Sequence, residues 1–455
     1  MIEFINKYVI GATLPILLML TGVYFFAKLG FFPFTKSQKV IRGITQSKKG
    51  GFKALALSLA GTLGVGNIVG VTSAIYAGGF GAIFWMWISA SVASILKYSE
   101  IVLAMRHRVP ADGGCKGGAP YYIRACLAPK FPLLARLLSV LFAMLCISNC
   151  LSMGAVMQTN AISSALGSVC GIRPAVCGAL IAVAALFLMH GGTEVISRLT
   201  SALVPFMGMF YTLLSLAVII PRAHAIPSLL GQVIASAFSI DAAAGGIFGF
   251  LLSRSLRFGV VRGLFSNEAG CGTSPTAHVS SASSPCEQGF IGIIEVLIDT
   301  VLLCTMTAVV VMLNYDSVVR FGDEPMKMAL KAYSSSFSPT AAMVIEWSMA
   351  LMVLCFGFAT VSCLSHYALE CVSFLSKKPI ARQLFVPIYC ASIFAGALAD
   401  ASLAWAVSDL TVGVMTVINL GVLWYKRDEI ASETADYFGK SKNICQIDNK
   451  FTKWS

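Results

Sequence analysis

The chain has 455 residues, of which 57% are hydrophobic and only 12% are charged, and its mean hydropathy is +0.80. This balance excludes a soluble globular protein of that size and indicates a polytopic membrane protein. The net charge of +12 does not indicate nucleic-acid binding, because long apolar runs separate the Lys and Arg residues instead of leaving them on one basic face. We therefore expect a single transmembrane domain over residues 1–455, with the lipid bilayer as a partner and no nucleic acid.

Eleven apolar runs, each bounded by charge or by Pro and Gly, are candidate membrane spans. Most are uniformly apolar, which predicts an all-α protein and not the alternating strands of a membrane barrel. In chain order the spans are Val9–Leu29, Leu55–Ala77, Ala82–Met105, Leu137–Met157, Val176–Met189, Leu203–Ile220, Val233–Leu252, Phe290–Leu313, Ala341–Leu364, Leu384–Ala399 and Leu403–Tyr425.

The distribution of Lys and Arg between the loops predicts the orientation of these spans. If the loop from Gly30 to Ala54 is cytoplasmic, the cytoplasmic segments hold 25 of the 33 Lys and Arg residues and the outside segments hold 6. Positive residues concentrate on the cytoplasmic side of membrane proteins. With eleven spans, the N-terminus then lies outside and the C-terminus lies in the cytoplasm. We expect a multi-pass protein of a bacterial-type plasma (inner) membrane.

The second span contains Gly61 to Gly70, which reads Gly-Thr-Leu-Gly-Val-Gly-Asn-Ile-Val-Gly. Each glycine inside a helix costs roughly 1 kcal/mol relative to alanine, so this helix is predicted to be broken. Unwound backbone at membrane depth is tolerated only where it is buried in protein or lines a polar cavity. The break therefore predicts a site, with close helix packing as the alternative reason for the glycines. The GxGxxxG spacing, without a strand or a Lys, argues against a nucleotide loop.

The seventh span carries a second glycine-rich stretch, from Ala242 to Gly249. Because five helices separate the starts of the two broken spans, span two runs outward and span seven runs inward, which is the arrangement of an inverted repeat. Residues 55–220 and 233–425 would be the two repeats. Residues 9–29 would then form a peripheral helix, and residues 426–455 would form a cytoplasmic tail.

The first break would present ligand groups of both signs. The half-helix that starts near Asn67 offers free backbone N–H groups, and the half that ends near Leu63 offers unpaired carbonyl oxygens. An amino acid zwitterion matches both halves. A sodium ion can share the carbonyl oxygens with side-chain oxygens such as that of Asn67.

Charged and polar residues inside other spans are further candidates for function. Glu295 and Asp299 are four residues apart on one face of span eight. Lys97 and Glu100 are three apart and can pair locally, which favours a structural role. Amides in span four and hydroxyls in spans eight and nine either contact neighbouring backbone or serve as ligands. These side chains are Asn149, Gln158, Asn160, Thr305, Thr307, Thr360 and Ser362.

The segment from Arg257 to Pro275 is predicted to lie on the cytoplasmic side between spans seven and eight, with Ser266, Asn267 and Glu268 as a helix cap or gate. The sequence has no Ser, His and Asp set that suggests hydrolysis, and no catalytic constellation indicates an enzyme. The fourteen cysteines and five histidines lack CxxC and HExxH spacing, so we expect no metal or redox cofactor held by them.

Five stretches together closely resemble the alanine or glycine:cation symporter family, also described as the sodium:alanine symporter family. They are Gly61 to Gly70, Gly78 to Trp87, Lys97 to Glu100, Gly117 to Ile123 and Gly259 to Pro275. The resemblance implies a leucine-transporter-like fold of about eleven helices, with a 5+5 inverted repeat and one additional N-terminal helix. It also implies uptake of small neutral amino acids coupled to sodium, or in some members to protons.

The resemblance further implies which residues contact the ligands. Sodium as the coupling ion would lie among Leu63, Asn67 and Thr360, and no other cofactor is implied. Substrate contacts would come from both breaks, from the Met-x-Gln-x-Asn segment of span four and from span nine. The implied substrate residues are Thr62, Val65, Gly66, Asn67, Gln158, Gly245, Gly246, Thr360 and Leu364.

Span nine departs from the family pattern, because Leu364 stands where the family usually has a tryptophan in the pocket. Loss of the indole would enlarge that wall and make it more apolar. A symporter for a larger neutral amino acid is therefore an alternative to one for alanine or glycine. A non-accumulating substrate sensor or channel-like protein on the same fold is a second alternative.

Overall fold

The computed structural model describes residues 11–46, 50–111, 114–238 and 254–439, and almost all of its regular structure is α-helix. The first ten helices are α1 (Gly11–Lys28), α2 (Phe32–Thr35), α3 (Ser37–Gln46), α4 (Gly50–Thr62), α5 (Val69–Gly78), α6 (Gly81–Arg106), α7 (Ala119–Leu127), α8 (Pro132–Asn149), α9 (Gln158–Cys170) and α10 (Pro174–Ile219). The others are α11 (Ile226–Ala237), α12 (Arg254–Asn267), α13 (Pro275–His278), α14 (Pro285–Val296), α15 (Thr305–Leu313), α16 (Tyr315–Val318), α17 (Pro325–Ser334), α18 (Pro339–Leu375), α19 (Pro379–Leu398), α20 (Ser402–Tyr425) and α21 (Arg427–Gly439).

Short segments of other geometry connect these helices. Two π-helical segments, Cys150–Met157 and Leu297–Cys304, join α8 to α9 and α14 to α15. Strands β1 (Val109–Ala111) and β2 (Gly114–Lys116) form an antiparallel hairpin in which Val109 lies opposite Lys116. Turns of 3-10 helix occupy Val65–Asn67, Ile220–Ala225 and Val319–Phe321.

The helices have the length and composition of membrane spans. Within the described ranges, eight helical segments are long and apolar enough to cross a membrane, and the bent pair of α4 and α5 would make a ninth. Backbone that crosses hydrocarbon must satisfy its own hydrogen bonds, which a helix does. The prediction of an all-α polytopic membrane protein is therefore confirmed. Most of the predicted span Val233–Leu252, including Gly245 and Gly246, lies outside the described residues, and the orientation of the termini stays a prediction.

The segment that begins near Arg257 is a buried helix and not the loop that we expected from the sequence. Helix α12 packs closely on α6 because two glycines, Gly259 and Gly263, leave room for it. A Cβ atom on Gly259 would lie 2.3 Å from the Ala82 carbonyl oxygen, and one on Gly263 would lie 2.8 Å from Ser89 Oγ. The glycines thus let two helix backbones approach, as small residues do in other membrane bundles.

The backbone is unwound between α12 and α13, and we refer to residues 268–274 as the second unwound stretch. Glu268, Gly270 and Gly272 have φ values of 51°, 90° and 83°. Such left-handed conformations end a helix, and they are costly for a residue with a side chain such as Glu268. All seven residues of the stretch are buried. A second interruption therefore lies inside the protein, further along the chain than the one predicted at Ala242 to Gly249.

The helix α21 opens the predicted cytoplasmic tail and docks on the end of α6. Arg106 Nε lies 3.0 Å from Glu429 Oε1, and His107 Nε2 lies 2.7 Å from the same oxygen. Lys426 Nζ lies 2.9 Å from Glu429 Oε2. The hydrogen bond from His107, with that from Lys426, lowers the pKa of Glu429 to about 2.

We expect Glu429→Gln to destabilise the protein at neutral pH by about 1–2 kcal/mol, because charged hydrogen bonds are lost. A carboxyl group whose pKa is lowered on folding stabilises the fold above its unfolded pKa, near 4.3, and this contribution is lost as pH falls toward about 2. The difference between wild type and variant should therefore shrink in acid. Thermal unfolding in detergent at several pH values measures it. Glu324→Gln, at an exposed pair with Lys327, is the control, and equal pH profiles for Glu429→Gln and wild type would contradict the prediction.

Candidate functional site

The break predicted from the glycines of span two is present in the structure. Helix α4 ends at Thr62, and the chain passes through an extended Gly64 and a 3-10 turn before α5 begins. The two half-helices are bent by 59°. A Cβ atom on Gly64 would lie 2.7 Å from Thr360 Oγ1 and 3.1 Å from Gln158 Oε1. Two polar side chains thus approach the backbone at the one position where only glycine leaves room for both.

Gln158 bonds directly to the first break. Its Oε1 accepts a hydrogen bond from Val65 N at 3.0 Å, and its Nε2 donates to the Met153 carbonyl oxygen at 3.1 Å. A backbone N–H released by the unwinding therefore has a buried partner, which is required at membrane depth. This side chain links α9 and the preceding π-helical segment to the break.

Thr360, on α18, lies against the carbonyl end of α4. Its Oγ1 is 3.0 Å from the Ala60 carbonyl oxygen, 3.5 Å from that of Leu63 and 3.1 Å from that of Phe356 in its own helix. A hydroxyl has one hydrogen to donate, so it can satisfy only one of these three oxygens. The remaining lone pairs, with the Thr360 oxygen itself, form a set of neutral oxygen donors that suits a small monovalent cation.

Asn67 joins the first break to a buried carboxylate. Its Nδ2 donates to Asp299 Oδ1 at 2.7 Å, while its Oδ1 has no hydrogen-bond partner within the described part of the chain. Asp299 Oδ2 accepts from Ser266 Oγ at 2.5 Å and from Thr300 Oγ1 at 2.8 Å. Asp299 is fully buried in the second π-helical segment. This cluster ties together the 3-10 turn of the first break, α12 and the second π-helical segment, which contains Asp299.

A cavity of about 450 Å³ opens beside the first break, within the size range of small-molecule sites. Val65, Gly66 and Gln158, all expected from the sequence, line it. Its aromatic side is formed by Phe265 and Trp405. The remaining wall includes Met153, Met157, Ser73 and Arg262.

Arg262 stacks on this aromatic side. Its guanidinium carbon lies 4.3 Å from the centroid of Trp405 and 5.5 Å from that of Phe265, which are cation–π distances. Its Nη1 is 3.8 Å from Asp409 Oδ1. Phe265, Arg262 and Trp405 were not expected from the sequence; the i, i+3 spacing of Arg262 and Phe265 on one helix face is the signal that indicates the first two.

The other residues expected in the site do not line this cavity. Thr62 Oγ1 bonds weakly to its own helix, 3.4 Å from the carbonyl oxygens of Ser58 and Leu59. Leu364 is buried against Gly154. A Cβ atom added to Gly154 would lie 2.7 Å from the Cβ atom of Leu364. Leu63, Asn67 and Thr360 lie around the break, but Asn67 points to Asp299 whereas Thr360 contacts the end of α4.

The buried charges are paired differently from the expected pairing along one helix. Lys97 Nζ lies 3.0 Å from Glu295 Oε1 and donates to the Asn267 carbonyl oxygen at 2.8 Å. Glu100 instead accepts hydrogen bonds from Asn419 Nδ2 at 2.8 Å and Gly272 N at 3.1 Å. The local pairing of Lys97 with Glu100 is therefore wrong, because α14 brings a carboxylate closer to the ammonium group.

Broken membrane helices beside a cavity are typical of helical secondary transporters. Residues 1–452 match the family model described as the sodium:alanine symporter family, and the chain belongs to that family. The resemblance found in the sequence motifs is thus confirmed, and the family is one of transporters.

Some relatives have names that state a substrate. A Methanococcus maripaludis protein named a sodium/alanine symporter is 30% identical over 454 residues, covering 97% of this chain and 98% of that protein. A Bacillus subtilis protein named a probable sodium/glutamine symporter is 29% identical over 451 residues, covering 96% of this chain and 90% of that protein. Among solved structures, an Eremococcus coleocola manganese transporter aligns at a TM-score of 0.44 and 13% identity, over 87% of this chain and 88% of that one.

Proposed function

We propose that this protein is a sodium-coupled secondary active symporter that imports small neutral amino acids by alternating access across a plasma membrane. The observation that carries the proposal is the first break. There Gln158 accepts a hydrogen bond from Val65 N, which the unwinding has released from the helix, and Thr360 faces the carbonyl oxygens of Ala60 and Leu63. Membership of a symporter family supports it. Neither half of this arrangement supplies the groups of a catalytic site, so transport is favoured over an enzymatic reaction.

The substrate would bind in the cavity beside the break. Its carboxylate would meet the positive end of α5 near Gly66, and its ammonium group would meet carbonyl oxygens at the end of α4. Val65 and Gln158 line this space in the structure. Thr62, Asn67, Thr360 and Leu364 remain proposed substrate contacts that another conformation would bring to the ligand. Gly245 and Gly246, which lie outside the described residues, remain proposed contacts as well.

Sodium would bind between the Leu63 carbonyl oxygen and Thr360, beside the Ala60 carbonyl oxygen. The unpartnered Oδ1 of Asn67 would take part from the other side of the break. Because these oxygens belong to two half-helices and to α18, a bound cation would pull them together. Binding of the ion and of the substrate would therefore favour the same closed conformation, and a proton is the alternative coupling ion.

Substrate size is open between two candidates that the relatives suggest. Alanine or glycine is supported by the relative named a sodium/alanine symporter. A larger neutral amino acid is supported by the relative named a probable sodium/glutamine symporter and by Leu364 in place of a pocket tryptophan.

Uptake by proteoliposomes tests the proposal. We expect accumulation of labelled alanine, glycine or glutamine above equilibrium under an inward sodium gradient, and none with potassium. Equilibration without accumulation would indicate the sensor or channel alternative. Sodium-independent uptake of every neutral amino acid would contradict the sodium coupling.

Thr360→Val should raise the sodium concentration for half-maximal uptake by roughly tenfold, corresponding to about 1.4 kcal/mol for one lost ligand. Ser362→Ala is the matched control, because Ser362 Oγ donates to the Phe358 carbonyl oxygen of its own helix and does not face α4. The same sodium dependence in Thr360→Val and in the control would remove Thr360 from the sodium site.

A further inference from the structure

Three buried glutamates surround the second unwound stretch, outside the proposed sodium and substrate site. Glu268 lies on the stretch, Glu100 accepts a hydrogen bond from its Gly272 N, and Glu295 pairs with Lys97, which bonds to the preceding residue. All three side chains belong to buried residues. Transfer of an ionised carboxyl group into a protein interior is very unfavourable unless a charge or several hydrogen bonds compensate it.

The three carboxyl groups differ in how well they are compensated. Glu295 has the Lys97 ammonium group at 3.0 Å. Glu100 has two N–H donors on Oε2, although its Oε1 is without a partner among the described residues. Glu268 is 3% exposed and has one donor, Thr273 Oγ1, at 2.6 Å. Its Oε1 has no hydrogen-bond partner in the described ranges, and none of the ion pairs there includes it.

The groups around Glu268 do not neutralise it. Among the described residues, the cation that interacts with Glu268 is Lys97, and its ammonium group already pairs with Glu295. The titratable side chains that interact with Glu268 from the elements packed around it are Lys97 of α6, Cys146 of α8, Cys150 of the first π-helical segment, Cys271 of the stretch itself, Glu295 of α14, and Cys363 and Tyr367 of α18.

The backbone at Glu268 is also strained. Its φ of 51° is left-handed, which is uncommon for a residue with a side chain. Residues held in such conformations concentrate at switch and ligand-binding positions. Strain and an uncompensated carboxyl group therefore coincide at the residue where helix α12 gives way to the unwound stretch.

We propose that Glu268 is a proton-binding residue that holds the second unwound stretch closed. In the conformation described here, its side chain is a neutral carboxylic acid. When the O–H bond breaks, the proton passes to water, and the carboxylate left behind favours conformations in which water reaches residues 268–274. The inference does not require sodium coupling.

Thermal unfolding of the full-length protein in detergent, without substrate or sodium, tests the proposal. A native state that holds this proton more tightly than the unfolded chain loses stability as pH rises. We expect the melting temperature of wild type to fall by a few degrees from mildly acidic to mildly alkaline pH relative to that of Glu268→Gln. The amide of the variant stays neutral at every pH and so keeps the second unwound stretch closed. Glu100→Gln should keep the wild-type slope. Equal slopes for wild type and Glu268→Gln would overturn the proposal.

Infrared spectroscopy of the same samples identifies the protonated group directly. We expect the carbonyl band of a protonated carboxyl group in wild type and in Glu100→Gln, and a loss of band intensity in Glu268→Gln. Glu346→Gln is the control for an ionised carboxylate, because Lys331 Nζ and Ser334 Oγ each lie 2.7 Å from Glu346 Oε1.

Two results would count against Glu268. Loss of the band in Glu100→Gln would assign the proton to Glu100. A melting temperature that responds to sodium through Glu268, and not to pH, would assign a sodium ion. If Glu268→Gln does not fold, the infrared spectra of wild type and of Glu100→Gln still test the proposal. A carbonyl band that is present in wild type and kept in Glu100→Gln supports a proton on Glu268. Because no transport is measured, failure here would leave the proposed symport untouched.

Discussion

Gly64→Ala should reduce sodium-dependent uptake by roughly 5- to 150-fold, the range that corresponds to about 1–3 kcal/mol of overpacking. The added Cβ would lie 2.7 Å from Thr360 Oγ1 and 3.1 Å from Gln158 Oε1, so both side chains would have to move away from the break. Those movements would open the oxygen set at the end of α4 and break the bond to Val65 N. The measurement is initial uptake in proteoliposomes, normalised to inserted protein.

Gly70→Ala is the matched control for Gly64→Ala. It lies in α5, six residues further along the chain, and a Cβ there would meet nothing within 4 Å. We expect near wild-type uptake from it. Gly66→Ala should also keep near wild-type uptake, because the nearest neighbour of its Cβ, the Phe265 carbonyl oxygen, would be at an ordinary contact distance of 3.9 Å, whereas the bulkier Gly66→Leu would fill the cavity. Equal uptake by Gly64→Ala and Gly70→Ala would show that the break does not need the close approach.

Lys97→Met should lower the free energy of unfolding by about 3–5 kcal/mol, because it removes the ammonium partner of the buried Glu295 carboxylate and leaves it only the more distant His278 Nε2, at 3.6 Å, among the described ion-pair partners. Both side chains are fully buried, and the ammonium group also bonds to the Asn267 carbonyl oxygen where α12 ends. The expected loss therefore includes loosening of the second unwound stretch. Thermal unfolding in detergent measures the change.

The double variant Lys97→Met, Glu295→Gln should recover part of this loss, since neutralising the second partner removes the uncompensated charge. Lys53→Met is the surface control: its pair with Glu194 is more than half exposed on both sides and should change stability by about 0–1 kcal/mol. A Lys97→Met variant as stable as Lys53→Met would mean that the buried pair contributes little. A double variant less stable than Lys97→Met would contradict the pairing itself.

The two clusters around the breaks suggest how the parts of the site communicate. Asp299 accepts hydrogen bonds from Asn67 of the first break and from Ser266, at the end of α12. Thr307 Oγ1 donates to the Asn67 carbonyl oxygen at 2.8 Å and so holds the turn that follows Gly64. A movement of the first break or of the end of α12 would therefore change the hydrogen bonds of Asp299. Rocking about the breaks, as alternating access requires, would use this shared carboxylate.

Several residues of the site could be predicted from their chemistry alone. Glycines that weaken a membrane helix predicted the break, whereas Gln158 was expected as a substrate contact through the family resemblance, and its bond to Val65 N was not predicted. Trp405 could not be predicted, because an aromatic residue in an apolar run is indistinguishable from a core residue until its neighbours are known. The helix Arg254–Asn267 was also missed, because several arginines in a short segment are typical of a loop. The close packing of Gly259 on α6, which makes it a helix inside the protein, cannot be read from the sequence.

The sequence by itself determined that this is an all-helical membrane protein, which helix is broken, and to which family the chain belongs. Those features follow from local properties: hydropathy over about 20 residues, glycine in a helix, and motifs read in order. Only the tertiary structure decided which oxygens meet at the break, that Lys97 pairs with Glu295 and not with Glu100, and that residues 268–274 are unwound and buried. Those outcomes depend on which helices pack together. Packing brings residues that are distant in the chain into contact, and a buried polar group must then form its hydrogen bonds with the partners that the neighbouring helices provide.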